Sequence, residues 1–225
     1  MNAEKETNKM AKNFAVSGQH YLFNVQAFAH TILTMGGDVY DYAYRDRSTA
    51  GIIDDVKNGT SELGVIMQTE RSKDEINAAL AEAGLKFVPI KESKPMVALS
   101  ASHPLSNAKS LRLEELEAWP YLYFEQRPDS PVSFCEEALA QIPRKKTIAC
   151  NDRASLSELA VAVNGYTITS GILVGITDGG SLATVPLETD ETLSLGYIVK
   201  ENSSFSPAAE RFVEELTKEL NLYAK

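Results

Sequence analysis

The sequence predicts an α/β protein of two lobes joined by crossover strands, and three observations indicate this fold class. From residue 13 onwards, short apolar segments alternate with segments of helical periodicity, which is typical of strand-helix-strand units with a mainly parallel sheet. The same alternation begins again after residue 110. Between the halves, apolar residues at 85–90 and 96–99 flank a polar stretch at 91–95, which favours two strands joined by a hinge. A loop within one sheet is the alternative that this pattern leaves open.

The first half of the chain is predicted to contain three strands, each followed by a helix. Apolar runs and alternating apolar residues predict strands at 13–16, 38–45 and 63–67. The first helix is expected to begin with an N-cap at or near Ser17, because a long periodic apolar run follows it. Ser48 or Thr49 can cap the second helix, and the third helix spans 72–83.

The second half is predicted to follow the same order. Its strands are expected at 121–124, 147–150, 166–168, 185–187 and 193–200. Its helical segments are expected at 111–116, within 129–140, at 155–163 and at 208–223, the last opened by Pro207. The strand at 193–200 would carry the chain back to the first lobe. We therefore expect 13–92 and 196–225 to form lobe I, 93–195 to form lobe II, and 1–12 to be a linker remnant or a tag.

Composition and charge limit the possible partners. The chain has 225 residues, with 31 acidic and 22 basic side chains and a net charge of −9, which opposes contact with nucleic-acid phosphates. No apolar segment approaches the roughly 18 to 20 residues that span a bilayer, and the N-terminus lacks the apolar core of a signal peptide. We therefore predict a cytoplasmic protein in which Cys135 and Cys150 are reduced and structural.

Residue types that carry catalysis or bind metals are scattered along the sequence. His20, His30 and His103 lack the spacing of metal ligands, and there is no phosphate-binding loop, dinucleotide fingerprint or nucleophile elbow. The paired acids Glu136 and Glu137 fall on the helix predicted within 129–140, where we expect them to be solvated. The patterns thus predict no metal, no cofactor and no enzyme activity.

Four segments in different parts of the chain resemble those of one known family. They are VKNGTSELGVI at 56–66, VALSASHPL at 97–105 followed by LRLEEL, LAVAVNGYTITS at 159–170, and SPAAERF at 206–212. In this order and spacing, they resemble the effector-binding domain of LysR-type transcriptional regulators. Glu62 stands where that family usually has an aspartate.

The resemblance implies a fold, a function and partners. The fold would be the periplasmic-binding-protein type 2 fold with two Rossmann-like lobes, and the function would be the sensing of a small effector between them. The chain would form a homodimer or a higher oligomer. Dimers would form side by side through the first helix and the strand after it, which carries Tyr40, Tyr42 and Tyr44. DNA would be bound only through an N-terminal helix-turn-helix domain that is missing here. A solute-binding protein of a transporter and an enzyme on the same fold are the alternatives.

A candidate effector site follows from the predicted strand ends, because ligands of open α/β sheets bind beyond the carboxyl ends of strands, near helix N-termini. The residues expected there in the first lobe are Ser17, Gly18, Gln19, Arg47, Ser48, Thr49, Met67 and Gln68. In the second lobe they are Phe124, Glu125, Asn151, Asp152, Thr169 and Ser170. Helix starts with the hydroxyl groups of Ser17 and Thr49 favour an anionic ligand. The acids Glu125 and Asp152 would also attract an amine, so that a zwitterion is expected as well.

Overall fold

The computed structural model describes residues 12–172 and 181–222, which contain two five-stranded sheets and five α-helices. The strands are β1 (Lys12–Gly18), β2 (Tyr40–Asp46), β3 (Leu63–Thr69), β4 (Leu85–Ser93), β5 (Met96–Ser100), β6 (Tyr121–Phe124), β7 (Thr147–Cys150), β8 (Tyr166–Thr169), β9 (Leu182–Pro186) and β10 (Leu193–Lys200). The helices are α1 (Leu22–Met35), α2 (Thr49–Lys57), α3 (Lys73–Glu82), α4 (Arg153–Ala162) and α5 (Pro207–Leu222). Within the described ranges, no helix is both long enough and apolar enough to cross a membrane.

The two sheets are built on one plan. The first has the strand order β2-β1-β3-β10-β4, and the second has the order β7-β6-β8-β5-β9. In each sheet the fourth strand, β10 or β5, runs antiparallel to both of its neighbours, while the other described strands are parallel to one another. In each sheet, the antiparallel strand is the first strand that the chain forms after it leaves the other sheet: β5 follows β4, and β10 follows β9. The fold is therefore the predicted α/β architecture of two lobes with crossover strands.

The chain passes between the sheets at two places. The first passage is Lys94–Pro95, between β4 and β5, and the second is the segment 187–192, between β9 and β10. Strand β4 continues through the polar residues 91–93, so that the hinge is shorter than predicted. Pro89 is tolerated within β4 because this is an edge strand, and its partner Gly196 lies at a shift in register. The lobe boundaries at 92–93 and 195–196 remain a prediction, and the second falls inside β10.

The C-terminal helix is anchored to the first lobe. Pro207 is the first residue of α5, as predicted. The carboxylate of Glu62 accepts hydrogen bonds from the main-chain N–H of Ser206 at 2.6 Å and from its hydroxyl at 2.7 Å. On the apolar face of α5, the ring of Phe212 lies 6.2 Å from that of Phe14, centroid to centroid. Glu62, which differs from the usual aspartate of the resembling family, thus fixes the start of the last helix.

The first helix begins later than predicted. Ser17 lies inside β1, and α1 begins at Leu22 after an extended residue, Tyr21. The buried hydroxyl of Ser17 donates to Asp55 Oδ2 at 2.7 Å and lies 2.8 Å from the hydroxyl of Ser61. The prediction that Ser17 caps a helix is therefore wrong, because its side chain is held by these partners within the strand.

The prediction of a helix within 129–140 is also wrong. The described backbone there has a single 3-10 turn at Val132–Phe134, followed by turns in which Leu139 adopts a φ of 61°. Glu136 and Glu137 are 3% and 4% exposed, so the prediction that they are solvated is wrong too. Their carboxylates accept hydrogen bonds from main-chain N–H groups of other segments. Such tertiary contacts outweigh the intrinsic helix propensity of this stretch.

Candidate functional site

The segment that follows β6, residues 125–137, reaches from the second lobe to the first. The hydroxyl of Thr49, at the start of α2, donates to the carbonyl oxygen of Phe134 at 2.7 Å. The main-chain N–H of Thr49 donates to Gln126 Oε1 at 3.2 Å. This helix N-terminus, which sequence reasoning offers to a ligand, is thus already occupied by polar groups of the other lobe.

A second contact between the lobes joins His20 to Glu136. The main-chain N–H of His20 donates to Glu136 Oε2 at 2.8 Å, and its ring Nδ1 lies 2.9 Å from Glu136 Oε1. The hydroxyl of Tyr21 donates to the carbonyl oxygen of Glu136 at 3.0 Å. The imidazole also stacks on the ring of Phe124, with centroids 4.1 Å apart and planes within 9°. The residues directly after β1 are therefore bound to the end of β6 and to the segment after it.

A cavity of about 410 Å³ lies beside His20, and we call it the apolar cavity. Residues of the first lobe form one wall: His20, Tyr21 and Leu22. The rest of its lining belongs to the second lobe: Ala98, Phe124, Glu136, Glu137, Arg153, Ala154, Leu156, Ser157, Glu158, Val161, Thr167, Ile168, Thr169, Ile172, Ser181 and Leu182. Its volume lies in the range of sites for small organic ligands, which are mostly apolar with a few polar groups.

A second cavity, of about 480 Å³, is also lined by His20, and we call it the polar cavity. Its lining from the first lobe comprises His20, Asp46, Arg47, Ser48, Gly51 and Asp55, and that from the second lobe comprises Glu125, Gln126, Arg127 and Asn151. Both cavities therefore lie between the lobes, and His20 is common to the two.

Charged groups in this cleft have shifted pKa values. Burial lowers the pKa of His20, but the hydrogen bond and charge of Glu136, together with Asp46, outweigh it, so that the pKa is raised above 6.5. Burial and the neighbouring charge of Glu136 raise the pKa of Glu137 well above 4.5. Arg153 Nη2 lies 3.5 Å from Asp46 Oδ2, and its Nη1 has no hydrogen-bond partner in the described part of the chain.

Some of the residues predicted for the site form a buried brace. The side chain of Gln19 donates from Nε2 to the hydroxyl of Thr49 at 2.7 Å and accepts the main-chain N–H of Met67 at 2.7 Å. The ends of β1 and β3 and the start of α2 are thereby joined. The structure brings Gln19, Thr49 and Met67 together, but their polar groups bind one another or the second lobe.

The remaining predicted residues divide between the cavities and the structure around them. Lining the polar cavity are Arg47, Ser48, Glu125 and Asn151, and lining the apolar cavity are Phe124 and Thr169. Of the described residues predicted for the site, Ser17, Gly18, Gln19, Thr49, Met67, Gln68, Asp152 and Ser170 line neither cavity. Asp152 instead caps α4 by accepting the N–H of Ser155 at 2.8 Å. The Gln68 side chain donates to Asn77 Oδ1 at 2.8 Å.

Several charged residues of the cleft were not nominated from the sequence, among them His20, Glu136, Glu137 and Arg153. His20 directly follows Gln19 at the end of a parallel strand, and this position is a signal that could have identified it. Arg153 follows Asn151 and Asp152 in the same way. Glu136 and Glu137 had no such signal, because only the tertiary contacts of an irregular segment bury them.

Within residues 12–172 and 181–222, no group of three or more His, Cys, Asp or Glu side chains is placed to hold a metal ion. Cys135 is partly buried and Cys150 buried, and both are free thiols. Burial raises the pKa of each thiol, that of Cys135 to about 11.

The fold and cleft define a class of protein, the two-lobed ligand-binding domains of the periplasmic-binding-protein type 2 fold. The family model described as LysR substrate binding domain matches residues 44–221. The chain therefore belongs to the LysR substrate-binding domain family, and it is a ligand-sensing regulatory domain. A comparison with curated proteins finds no match in sequence.

Several solved structures share this fold. The effector-binding domain of QuiR in complex with shikimate has a TM-score of 0.61 and 16% identity, over 96% of this chain and 100% of that one. HinK, a LysR family transcriptional regulator from Pseudomonas aeruginosa, has a TM-score of 0.63 and 14% identity, over 93% and 71%. A cysteine mutant of OxyR from Corynebacterium glutamicum has a TM-score of 0.64 and 15% identity, over 97% and 67%.

Proposed function

We propose that this domain binds its effector between the lobes, in the apolar cavity and the adjoining part of the polar cavity. One observation supports this placement most: both cavities are lined from both lobes, and His20 lines each of them. A ligand there contacts the two lobes at once, so its binding energy can change how they are held together. Such a change is the signal that a regulatory domain passes on.

The charges of the cleft favour a zwitterionic effector over a purely anionic one. The N–H and hydroxyl of Thr49 are bound to the second lobe, so that this helix start has less to offer an anion than predicted. Arg153 lines the apolar cavity with one nitrogen unpartnered in the described structure, and it can bind a carboxylate. Glu137 and Glu158 line the same cavity and can bind a donor group.

The same reasoning extends to the whole protein. Family membership favours a sensor over a transporter's solute-binding protein or an enzyme, and we propose that the domain serves a cytoplasmic regulator that binds DNA through a helix-turn-helix domain. A side-by-side dimer is part of this proposal. Its surface would include the edge strand β2 and the exposed residues Leu33, Val39 and Tyr40.

A binding screen tests the placement of the site. Thermal-shift measurements with amino acids, small carboxylates, amines and oxyanions identify stabilising compounds, because a ligand that binds only the folded state raises its stability. Calorimetric titration then compares wild type with Arg153→Gln and with a control, Arg112→Gln, in an exposed ion pair of the second lobe. We expect the first variant to weaken binding by about tenfold or more and the control to leave it unchanged. A stabilising compound that binds both variants with wild-type affinity would place the site elsewhere.

A further inference from the structure

The carboxyl group of Glu137 is only partly satisfied in the wall of the apolar cavity. Its Oε1 accepts the main-chain N–H of Phe124 at 2.9 Å. Its Oε2 is buried and has no hydrogen-bond partner among residues 12–172 and 181–222. Glu137 lines the apolar cavity and also a smaller one of about 250 Å³ on its other side. A buried carboxyl oxygen without a partner is costly, and it points to a binding partner that the protein itself does not supply.

The titratable groups around Glu137 do not provide that partner. The carboxylate of Glu136 is bound to His20, so the imidazole nearby is already paired with a different acid. The other titratable groups near Glu137 are Tyr21, Tyr121, Cys135 and Cys150, whose pKa values burial raises. None of them donates a hydrogen bond to Glu137 Oε2 in the described structure. Arg153, in the same cavity wall, has Nη2 3.5 Å from Asp46 Oδ2 and Nη1 without a partner, and no ion pair joins it to Glu137 in the described part of the chain.

We infer that Glu137 binds the ammonium group of the effector and so selects a ligand that joins an amine to an apolar body. This inference rests on the proposed function, because it assigns one end of the ligand in the apolar cavity. Leu22, Ile168 and Ile172 line the cavity beside the carboxyl group and would cover the apolar body. An ammonium group can donate to the unpartnered oxygen and stabilise the ionised carboxyl, which an anionic ligand cannot do.

The apolar cavity is lined by more acidic than basic side chains, which favours a ligand with a cationic group. Its charged lining consists of Glu136, Glu137 and Glu158 against His20 and Arg153. The net charge of the chain, −9, adds a long-range attraction for cations. With Arg153 available for a carboxylate, the ligand class that uses both ends of the cavity is an α-amino acid with an apolar side chain.

Binding of an ammonium group must be linked to protons. Burial and the charge of Glu136 raise the pKa of Glu137 well above its usual range, which favours the protonated carboxyl in the free protein. The ammonium group favours the ionised carboxyl, and the proton is then released. Affinity for an amine should therefore rise as the pH increases through the raised pKa of Glu137, until the ligand's own amine loses its charge.

Matched trios of probes test the inference by calorimetry. One trio is L-leucine, 4-methylpentanoate and 3-methylbutylamine, and the other is L-phenylalanine, 3-phenylpropanoate and 2-phenylethylamine. We expect the amino acid and the amine of at least one trio to bind about tenfold more tightly than the acid. Glu137→Gln should remove this preference, while Glu117→Gln, an exposed acid of the second lobe that lines neither cavity, should keep it. Glu158→Gln tests the other acid of the cavity wall. Titrations in two buffers of different ionisation enthalpy should show proton release by wild type, a readout that needs no variant.

The outcomes separate the inference from the proposed function. Binding of the acids without the amines overturns the role of Glu137 but keeps the effector site between the lobes. If Glu158→Gln loses amine binding and folded Glu137→Gln keeps it, the ammonium group is bound by Glu158 and the role inferred for Glu137 is wrong. If none of the six probes binds, the inference about Glu137 is wrong. The proposed effector site is tested separately, by the wider thermal-shift screen and by the effect of Arg153→Gln on the affinity of a stabilising compound.

Discussion

His20 and Glu136, 116 residues apart in the chain, are joined through both the main chain and the side chain of the histidine. One carboxylate accepts the main-chain N–H at 2.8 Å and contacts ring Nδ1 at 2.9 Å. This pair connects the two lobes beside both cavities. Its charge state should therefore influence how firmly the lobes are held together.

The pKa values of His20 and His103 should be shifted in opposite directions from the usual value for histidine. The pKa of His20 is raised above 6.5 because Glu136 and Asp46 outweigh the effect of burial, whereas burial lowers the pKa of His103 below 6.5. NMR titration of the ring nitrogens measures both, with Glu136→Gln as the test for His20. The stabilisation that His20 provides is present below pH 6.5 and is lost as the pH rises through its raised pKa. A pKa of His20 below 6.5 in the wild type would contradict the charged pair.

Removing the charge of Glu137 should stabilise the free protein at higher pH. Its folded-state pKa lies well above 4.5, so the folded state holds a proton that the unfolded state has released, and wild-type stability falls as the pH rises above 4.5. Glu137→Gln keeps an oxygen for the N–H of Phe124 and cannot ionise. Urea unfolding at pH 5 and pH 8 should show a gain for this variant only at the higher pH, of about 1–3 kcal/mol. Equal effects at both pH values would argue against a raised pKa.

The hydroxyl of Thr49 should contribute more to the free energy of unfolding than an exposed ion pair between the lobes does. It is buried between Gln19 Nε2 and the carbonyl oxygen of Phe134. Thr49→Val should lower the free energy of unfolding by about 1–3 kcal/mol because two buried polar groups lose their partner. Thr49→Ser keeps the hydroxyl and is the matched control. Arg127→Ala removes a half-exposed ion pair with Asp54, which is expected to contribute about 0–1 kcal/mol. A larger loss in Arg127→Ala than in Thr49→Val would reverse this ranking.

The proposed dimer should depend on the outer face of α1 and β2. Leu33 is 82% exposed, and Tyr40 is 46% exposed, whereas Tyr42 and Tyr44 pack against the aromatic cluster of the first lobe. Leu33→Asp should shift sedimentation towards the monomer because it places a charge in an apolar contact. Leu159→Asp, on α4 of the second lobe, is the control that should leave the dimer intact. Strictly monomeric wild-type protein at high concentration would contradict the dimer itself.

The isolated chain should not retard a specific DNA fragment in electrophoresis. Its 31 acidic residues exceed its 22 basic ones, which opposes the phosphate contacts that dominate DNA affinity. The measurement uses fragments from the promoter regions next to the gene, at low and at moderate salt. Sequence-specific retardation that weakens with salt would show that this domain binds DNA without further segments.

Regular elements were predictable from the sequence, whereas the cleft between them was predictable only in part. Strands such as Tyr121–Phe124 and Leu193–Lys200 have the predicted bounds because their apolar patterns are local. The positions of Arg47, Ser48 and Phe124 at cavity walls follow from strand direction alone. The burial of Glu136 and Glu137 does not, because it depends on N–H groups that only the folded chain brings near.

The place of β10 in the first sheet determines an order of assembly. This strand lies between β3 and β4, yet it follows the whole second sheet in the chain. The second sheet uses consecutive residues from 96 to 186, so it can form on the ribosome while the first still lacks an inner strand. Before residues 193–200 emerge, β3 and β4 present unpaired edges that could bind other chains. A stop in translation before residue 193 would therefore leave the second sheet complete and the first sheet without an inner strand.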